Sequence, residues 1–344
     1  MTDTLTLQRQ LLSVVSISGF EEQRAELISS MVAPLCDEVT IDPLHNVIAH
    51  KRGTGPRVML SAHMDSIGFI VTYIEDTGFI RFECLGGIRL FAAIDGLVRF
   101  ENGVIGRIGR IPDDSGDDVV LSQITSKNLY IDIGAEDGKQ AESLVAVGDI
   151  AHYEAQTDCL GADTILSPYL DDLIACVIQI QVLERLKDTT CPNDLFFVFS
   201  TQEEIGHRGA KAASYSVDPQ YGFAIDVTRT GDTRGETACI ETALGGGAAI
   251  KVKDSSTICT PGMVELLKRT AQQHGIRYQM EVLEHGGTDT EAIQHNRSGA
   301  AAGGISIPSR YTHFPQEMAR LSDVEACTAL LCAVLSKDLS GGMA

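Results

Sequence analysis

The chain has 344 residues, of which 44% are hydrophobic and 22% are charged. This composition is typical of a globular protein with one large domain or two. The formal net charge of −20 argues against nucleic acid and anionic membranes as partners, because contacts with phosphate groups need clusters of Lys and Arg.

The N-terminal stretch and the cysteines indicate a cytoplasmic protein. The first residues, MTDTLTLQRQLLSVV, lack the basic start and the apolar run of a signal peptide. No stretch approaches the ~20 apolar residues that a membrane-spanning helix needs. The nine cysteines show no CxxC pair or other metal-like spacing, so we interpret them as free thiols in a reducing compartment.

The first 66 residues predict two helices followed by a strand. Residues 5–15 have a helical pattern, and Ser18 with Glu21 has the spacing of a capping box at the start of a second helix. VMLSA, from Val58 to Ala62, predicts a short buried strand.

Residues 67–158 have a different pattern, which is rich in strands and turns. GFIVTYIEDTGFIRFECLGG predicts a hairpin around residues 76–78, and VRFENGVIGRIGRI predicts another around residues 101–103. LYIDIGAEDG and GDIAHYEA add further strands, and a short helical period occurs near residues 139–145. We therefore predict an all-β insert at residues 67–158.

After Leu160 helices and strands alternate. DDLIACVIQIQVLERLK is apolar nearly all round and predicts a buried helix, while MVELLKRTAQQHG and DVEACTALLCAVLSK predict two more. LFFVFS, GFAIDV and AGGISI predict buried strands. This alternation is typical of an α/β sheet with helices on both faces. We predict one discontinuous α/β domain made of residues 1–66 and 159–344.

Acidic and histidine residues stand close to the ends of these predicted strands. Ligands bind outside the carboxyl ends of the strands in open α/β sheets, so we expect these side chains to meet at one rim. Taken singly, each has an ordinary interpretation, such as a surface histidine, a helix N-terminal acid or a turn residue. Together they are too many for one metal site and indicate two. The set consists of His63, Asp65, Asp171, Asp172, Glu203, Glu204, Asp226 and His313.

Charge counting supports a two-metal centre. The supposed ligands are His63, Asp171, Glu204, Asp226 and His313. Three carboxylates against two divalent ions leave a net charge of about +1, which would hold a hydroxide and polarise a carbonyl oxygen. Asp171 must be shared, because otherwise one ion has too few protein ligands. A bridging carboxylate is the natural way to hold two ions about 3.5–4 Å apart.

The adjacent Glu203 and Glu204 have separate uses at such a centre. Successive side chains on an extended backbone point in opposite directions, so one glutamate can bind a metal while its neighbour stays unbound. We assign Glu204 to the metal and Glu203 to proton transfer from the attacking water to the leaving amine. Asp65, two residues after His63, stands where a carboxylate can fix a ligand imidazole.

With these residues the chain resembles the tetrahedral aminopeptidases, dinuclear metallopeptidases that include glutamyl and deblocking aminopeptidases and proteins once labelled endoglucanase M. The resemblance runs nearly the full length of the chain. Its most specific segments are EEIG-RGA and RYTH-P-EM. The matching stretches are DPLHNVIAHKRG, SAHMDSIGFIV, IDIGA, LDD, TQEEIGHRGA, AIDVTRTGDTRG, GGTDTEA and SRYTHFPQEM.

The resemblance implies a zinc-peptidase-like catalytic domain, with a mixed sheet sandwiched by helices, and an inserted β-barrel-like domain used for dimerisation. It implies an aminopeptidase that acts on short peptides with Glu203 as general base. It also implies dimers that assemble into a hollow tetrahedral particle, a dodecamer. Zinc or cobalt is typical of the family, and manganese suits the same N/O ligands. The implied ligands are His63, Asp171 and Asp226 for one ion, and Asp171, Glu204 and His313 for the other.

Some residues depart from the family pattern. The family usually continues the Asp pair with a basic residue and soon a glycine, whereas this chain has Leu173, Ile174 and Ala175. His207 stands where the family usually has an apolar residue. It is either a surface histidine or a residue that lines the substrate pocket. Asp289, in GGTDTEA, matches a family segment near the site without an assigned role.

Other functions stay open on the residues alone. A dinuclear centre also serves metal-dependent deacylases and carboxypeptidases. Two carboxylates would suffice for a glycosidase, but that mechanism leaves His63 and His313 without a use. Because Leu173 and Ala175 depart from the family pattern, a non-catalytic assembly protein with a degenerate site is a further alternative. The presence of every expected ligand and of Glu203 argues against it.

Overall fold

The computed structural model describes residues 2–111, 121–154, 156–235 and 239–341. Nine α-helices and seventeen strands lie in these residues. The helices are α1 (Thr4–Leu12), α2 (Glu22–Val32), α3 (Leu90–Ala93), α4 (Gly138–Leu144), α5 (Leu170–Leu186), α6 (Arg208–Val217), α7 (Pro261–His274), α8 (Thr290–Gln294) and α9 (Leu321–Leu335). The strands are β1 (Glu38–Ile41), β2 (Val47–Lys51), β3 (Arg57–His63), β4 (Gly68–Ile74), β5 (Ile80–Leu85), β6 (Leu97–Phe100), β7 (Ile105–Arg110), β8 (Leu129–Asp132), β9 (Ile150–Tyr153), β10 (Asp158–Leu160), β11 (Thr164–Ser167), β12 (Asp194–Ser200), β13 (Tyr221–Arg229), β14 (Ala248–Lys253), β15 (Tyr278–Val282), β16 (Ala301–Arg310) and β17 (Glu317–Arg320).

Eleven strands form one mixed sheet, which confirms the predicted fold class. Nine of them follow the order β1-β2-β12-β3-β13-β16-β17-β11-β10, and β14 and β15 extend from β16. The central strands β12, β3, β13 and β16 are mutually parallel, while the outer neighbours pair antiparallel. The carboxyl ends of the central strands therefore lie at one edge of the sheet.

Helices cover both faces of this sheet, because both faces of its central strands are apolar. Along β3, Leu60 belongs to the large core cluster that includes residues of α5 and α9. The preceding Met59 packs instead with Ala213 of α6 and Ile293 of α8. Since successive side chains of a strand point to opposite faces, α5 and α9 lie on one side and α6 and α8 on the other.

Helix α5 is buried nearly all round, as its apolar sequence predicts. Only Glu184 and Arg185 among its residues are not buried. Regular helical geometry begins after Asp172, because Asp171 and Asp172 have non-helical dihedral angles. Leu173 and Ala175 are fully buried in the core, so apolar packing supports the start of the helix in this chain.

Six strands between Gly68 and Tyr153 close into a separate barrel in the order β4-β5-β8-β7-β6-β9. The two predicted hairpins are present, with Gly78 and Gly103 at positive φ in their turns. Phe69 packs edge-on against Phe82 and Tyr153 in the barrel interior. A barrel-like insert is thus confirmed, while the domain boundaries at 66/67 and 158/159 stay predictions.

The predicted capping box at Ser18 and Glu21 is wrong. Helix α2 begins at Glu22, and the side chain of Glu21 makes no capping hydrogen bond. The Ser18 hydroxyl donates instead to Asp65 Oδ2 at 2.6 Å, and Glu21 Oε1 accepts from the N–H groups of Gly19 at 2.8 Å and Gln202 at 3.0 Å. A tertiary contact with Asp65 therefore engages the Ser18 hydroxyl in place of the local cap.

All nine cysteines are free thiols, as the sequence predicts. Among the described residues, no helix has both the length and the apolar character that crossing a membrane requires.

Candidate metal centre

The sheet brings the predicted site residues to one edge. His63 is the last residue of β3, and it lies beside Ser200, the last residue of the parallel strand β12. Glu203 and Glu204 lie just beyond β12, and Asp226 lies on β13 on the other side of β3. The carboxyl ends of parallel neighbours place these side chains on the same rim.

The Asp171 carboxylate lies between the two histidines. Its Oδ1 is 3.0 Å from His63 Nε2, and its Oδ2 is 3.2 Å from His313 Nε2. A carboxylate that faces two imidazoles with its two different oxygens has the arrangement that a bridging ligand needs.

The two adjacent glutamates face different histidines. Glu204 Oε1 lies 3.3 Å from His313 Nε2, whereas Glu203 Oε2 lies 3.9 Å from His63 Nε2. Among the residues that the structure describes, two groups have ligand atoms within 4.8 Å of one another, namely His63, Asp171 and Glu204, and His63, Asp172 and Asp226. The second group thus contains Asp172, whereas the predicted ligands of that ion are His63, Asp171 and Asp226. The predicted assignment of ligands to the two ions stays a prediction.

Backbone carbonyls fix the tautomer of both histidines. His63 Nδ1 lies 3.1 Å from the Asp65 carbonyl oxygen, and His313 Nδ1 lies 3.1 Å from that of Gly87. A carbonyl oxygen only accepts, so each Nδ1 donates, and each ring deprotonated at Nε2 would present the lone pair of that nitrogen to a metal ion. Gly87 lies between the barrel strand β5 and α3, so the barrel region helps to orient His313.

The electrostatics of the buried acids favours cations. Burial, followed by the neighbouring Asp171, raises the pKa of Asp226 well above its usual range. Burial and then Asp226 do the same to the pKa of Asp172, whose Oδ1 is buried with no hydrogen-bond partner. Burial also opposes ionisation of Asp171, but His313 and His63 outweigh it and lower the pKa of Asp171. Since divalent ions would offset the repulsion among these groups, the donor set fits a metal centre.

Asp65 contacts more of the site than its spacing predicts. Its fully buried carboxylate has Oδ1 3.5 Å from His63 Nδ1, which is the predicted contact. It also accepts hydrogen bonds from the backbone N–H groups of Glu203 at 3.0 Å and Glu204 at 3.3 Å. The Asp65 carboxylate therefore lies beside the His63 ring and holds the turn that carries the two glutamates.

Glu317 was not found from the sequence. It is buried at the start of β17, where Oε2 accepts the Asp171 N–H and Oε1 accepts the His313 N–H, both at 2.8 Å. Burial, followed by Asp171, raises its pKa to about 8. An acid at the start of a strand was the available signal, but Asp171, one of its two partners, lies 146 residues away in the chain.

The roles of two other residues emerge from the fold. Asp289 Oδ2 accepts hydrogen bonds from the hydroxyls of Ser61 and Ser200, so it ties β3 to β12 beneath the rim. His207 lines the pocket and lies 3.0 Å from Glu203 Oε1. Burial is the main cause that raises the pKa of Glu203 to about 7, although the hydrogen bond from His207 opposes it.

The site opens into a cavity of about 940 Å³. Its walls include Arg89 and Phe91 from the barrel region and Arg229, Arg310 and Phe314 from the sheet side. A volume of this size lies within the usual range of ligand-binding pockets.

Comparisons with known proteins agree with this geometry. The M42 glutamyl aminopeptidase family model matches residues 45–330. A putative aminopeptidase of Acetivibrio thermocellus is 41% identical over 329 residues, which cover 96% of this chain and 97% of that protein. A lysyl aminopeptidase of Pyrococcus furiosus is 32% identical and covers 96% of both chains. An aminopeptidase structure from Desulfurococcus kamchatkensis superposes with a TM-score of 0.91 at 33% identity, covering 97% of this chain and 94% of that one.

Proposed function

Because this chain belongs to the M42 glutamyl aminopeptidase family and is a metal-dependent aminopeptidase, we propose that it removes N-terminal residues from short peptides at a two-metal centre. The observation that carries this proposal is the Asp171 carboxylate, which faces His63 with one oxygen and His313 with the other. A carboxylate in this position could serve as a shared ligand, which supports two ions rather than one.

The proposed ligands are His63, Asp171 and Asp226 for one ion, and Asp171, Glu204 and His313 for the other. Zinc is the first expectation, and the same nitrogen and oxygen donors suit cobalt and manganese. When bound, the two ions would polarise the scissile carbonyl and activate a water molecule.

Glu203 is proposed as the general base. Its Oε2 faces the centre near His63, and its carboxylate is not among the proposed ligands. From there it would take a proton from the attacking water and later deliver it to the leaving amine. Asp65 is the proposed positioning residue, since it holds the His63 ring and the backbone N–H of Glu203.

A homo-oligomer built from dimers is also proposed, with the insert at residues 67–158 as the dimerisation domain. The barrel carries large apolar side chains at its surface, since Tyr73 is 58% and Leu97 47% exposed. A Pyrococcus horikoshii TET1 peptidase, 30% identical with a TM-score of 0.86, assembles into a tetrahedron or an octahedral shell. We propose a tetrahedral dodecamer, and a cytoplasmic location on the basis of the nine free thiols.

An activity screen on metal-free and metal-reloaded protein tests the proposed reaction. The substrates are free and N-acetylated aminoacyl anilides together with a β-glucan. We expect metal-dependent cleavage of the free-amine substrates alone. Cleavage of the acetylated substrates instead would mean a deacylase, and no turnover with any divalent metal would mean a non-catalytic protein.

A further inference from the structure

His207 lies in the turn between β12 and α6, next to the proposed general base. The backbone N–H groups of Gly206 and His207 both donate to the Glu203 carbonyl oxygen, at 2.8 and 3.0 Å. This turn brings the His207 ring back over the Glu203 side chain. His207 itself has φ 54°, a left-handed conformation that a side chain adopts at some cost.

The His207 ring joins two carboxylates from separate elements. Nε2 lies 3.0 Å from Glu203 Oε1, and Nδ1 lies 3.0 Å from Oε2 of Glu291 in α8. When Glu203 and Glu291 are both ionised their oxygens only accept, so both ring nitrogens donate and the ring carries a positive charge. Burial opposes that charge, but Glu203 outweighs it with help from Asp289 and Glu291 and raises the pKa of His207 to about 9.

This contact leaves one oxygen of Glu203 available. Oε1 is engaged by His207, whereas Oε2 faces the centre at 3.9 Å from His63 Nε2. The side chains of His207 and Glu203 are only 13% and 10% exposed, so little water competes for these contacts. The ring also packs against Gly287, where an added Cβ would lie 3.2 Å from His207 Cε1.

We propose that His207 is a positioning residue, which is braced by Glu291 and holds the Glu203 carboxylate in the orientation that proton transfer needs. This role rests on the proposed function of Glu203. A base held by a largely buried partner loses less rotational freedom in the reaction than a free carboxylate. The alternative is an ion pair that only stabilises the turn.

The test compares steady-state kinetics of His207→Phe and His207→Gln on a free aminoacyl anilide, with metal content measured for each. Phe keeps a ring against Gly287 but cannot donate, so kcat should fall on the order of 10- to 100-fold while KM and both ions are kept. Gln can still donate to Glu203 and should restore most of that loss. Glu291→Ala releases the ring from its other side and should lower kcat by a smaller factor.

His295→Phe is the matched control, because His295 Nδ1 lies 3.8 Å from the same Glu291 but its side chain is 67% exposed. It should leave kcat unchanged. In a Glu203→Gln background, His207→Phe should change the residual turnover less than about twofold, since its effect acts through Glu203.

Two results separate this inference from the proposed function. If Glu203→Gln turns over like the wild type, the general-base assignment is wrong and the role of His207 is wrong with it. If Glu203→Gln is inactive but His207→Phe matches the His295→Phe control, His207 only stabilises the turn. Equal losses from His207→Phe and His207→Gln would likewise contradict the positioning role.

Discussion

The His63 and His313 imidazoles lie against the same carboxylate, but different parts of the chain hold them. The His63 side chain is 3% exposed, ends a central strand and donates to a carbonyl two residues away. The His313 side chain is 26% exposed, lies in a loop and donates to Gly87 in the barrel region. One side of the centre is therefore built into the sheet, and the other depends on how the barrel region is placed. Changes in the barrel region should act on the His313 side first.

The largest loss of activity is expected from a change at Glu203, which is a ligand on neither side of the proposed centre. Glu203→Gln should keep both ions and lower kcat by about 10²- to 10⁴-fold, because it removes the proton acceptor but none of the proposed ligands. Metal analysis and steady-state kinetics on the same sample measure this. Turnover near the wild-type value would show that another group accepts the proton.

Gly87→Ala tests the dependence of the His313 side on the barrel region. A Cβ at Gly87 would lie 2.7 Å from His313 Nδ1, so the ring must move away from its carbonyl partner. We expect affinity for one of the two ions to fall by about 10- to 100-fold while the other is kept, as measured by competition with a chelator.

Gly103→Ala is the control for backbone strain in the barrel, because its φ of 90° makes the substitution strained while an added Cβ there meets nothing within 4 Å. It should keep both ions. Equal weakening of both ions in Gly87→Ala would contradict the division of the centre into two independent sides.

Glu317→Gln should affect both sides together, because its two oxygens accept N–H groups from Asp171 and His313. The amide NH₂ of Gln would face one of these donors. We expect the affinity for both ions to fall about tenfold, and the free energy of unfolding to fall by about 1–3 kcal/mol. Chelator competition and urea unfolding measure these changes. An effect on one ion alone would show that Glu317 supports a single side.

Ser18→Ala should have the smallest effect, confined to the His63 side. It removes a 2.6 Å hydrogen bond to Asp65, so the free energy of unfolding should fall by about 1.5 kcal/mol, with both ions kept. Ser30→Ala is the matched control, because the Ser30 hydroxyl makes only an exposed bond to the Leu27 carbonyl. Equal urea midpoints for the two variants would contradict a supporting role for Ser18.

Much of the fold follows from local patterns. The runs VMLSA, LFFVFS and GFAIDV are apolar on both faces, and only parallel strands under two helix layers bury both faces. The alternating β pattern of the barrel and its turn glycines are equally local. The predicted residues at the strand ends lie on one rim for the same reason, since the sheet dictates where strand ends meet.

The missed features depend on contacts between distant segments. Glu317 accepts the backbone N–H of Asp171, which lies 146 residues earlier in the chain, and no local pattern marks that partner. Ser18 and Glu21 have a capping-box spacing, but their side chains bind elsewhere. The Ser18 hydroxyl donates to the buried Asp65 carboxylate, and Glu21 accepts from the backbone N–H of Gln202. His207 was noticed as a departure, but its contact with Glu291 needs the position of α8.

The most direct test of the shared carboxylate is a metal count on Asp171→Ala. The protein is dialysed against zinc, and ions per subunit are measured by mass spectrometry beside the wild type, with circular dichroism to verify folding. If Asp171 bridges, both ions are lost together while the protein stays folded. Retention of one ion at wild-type affinity would contradict the bridging role and with it the two-metal centre proposed here.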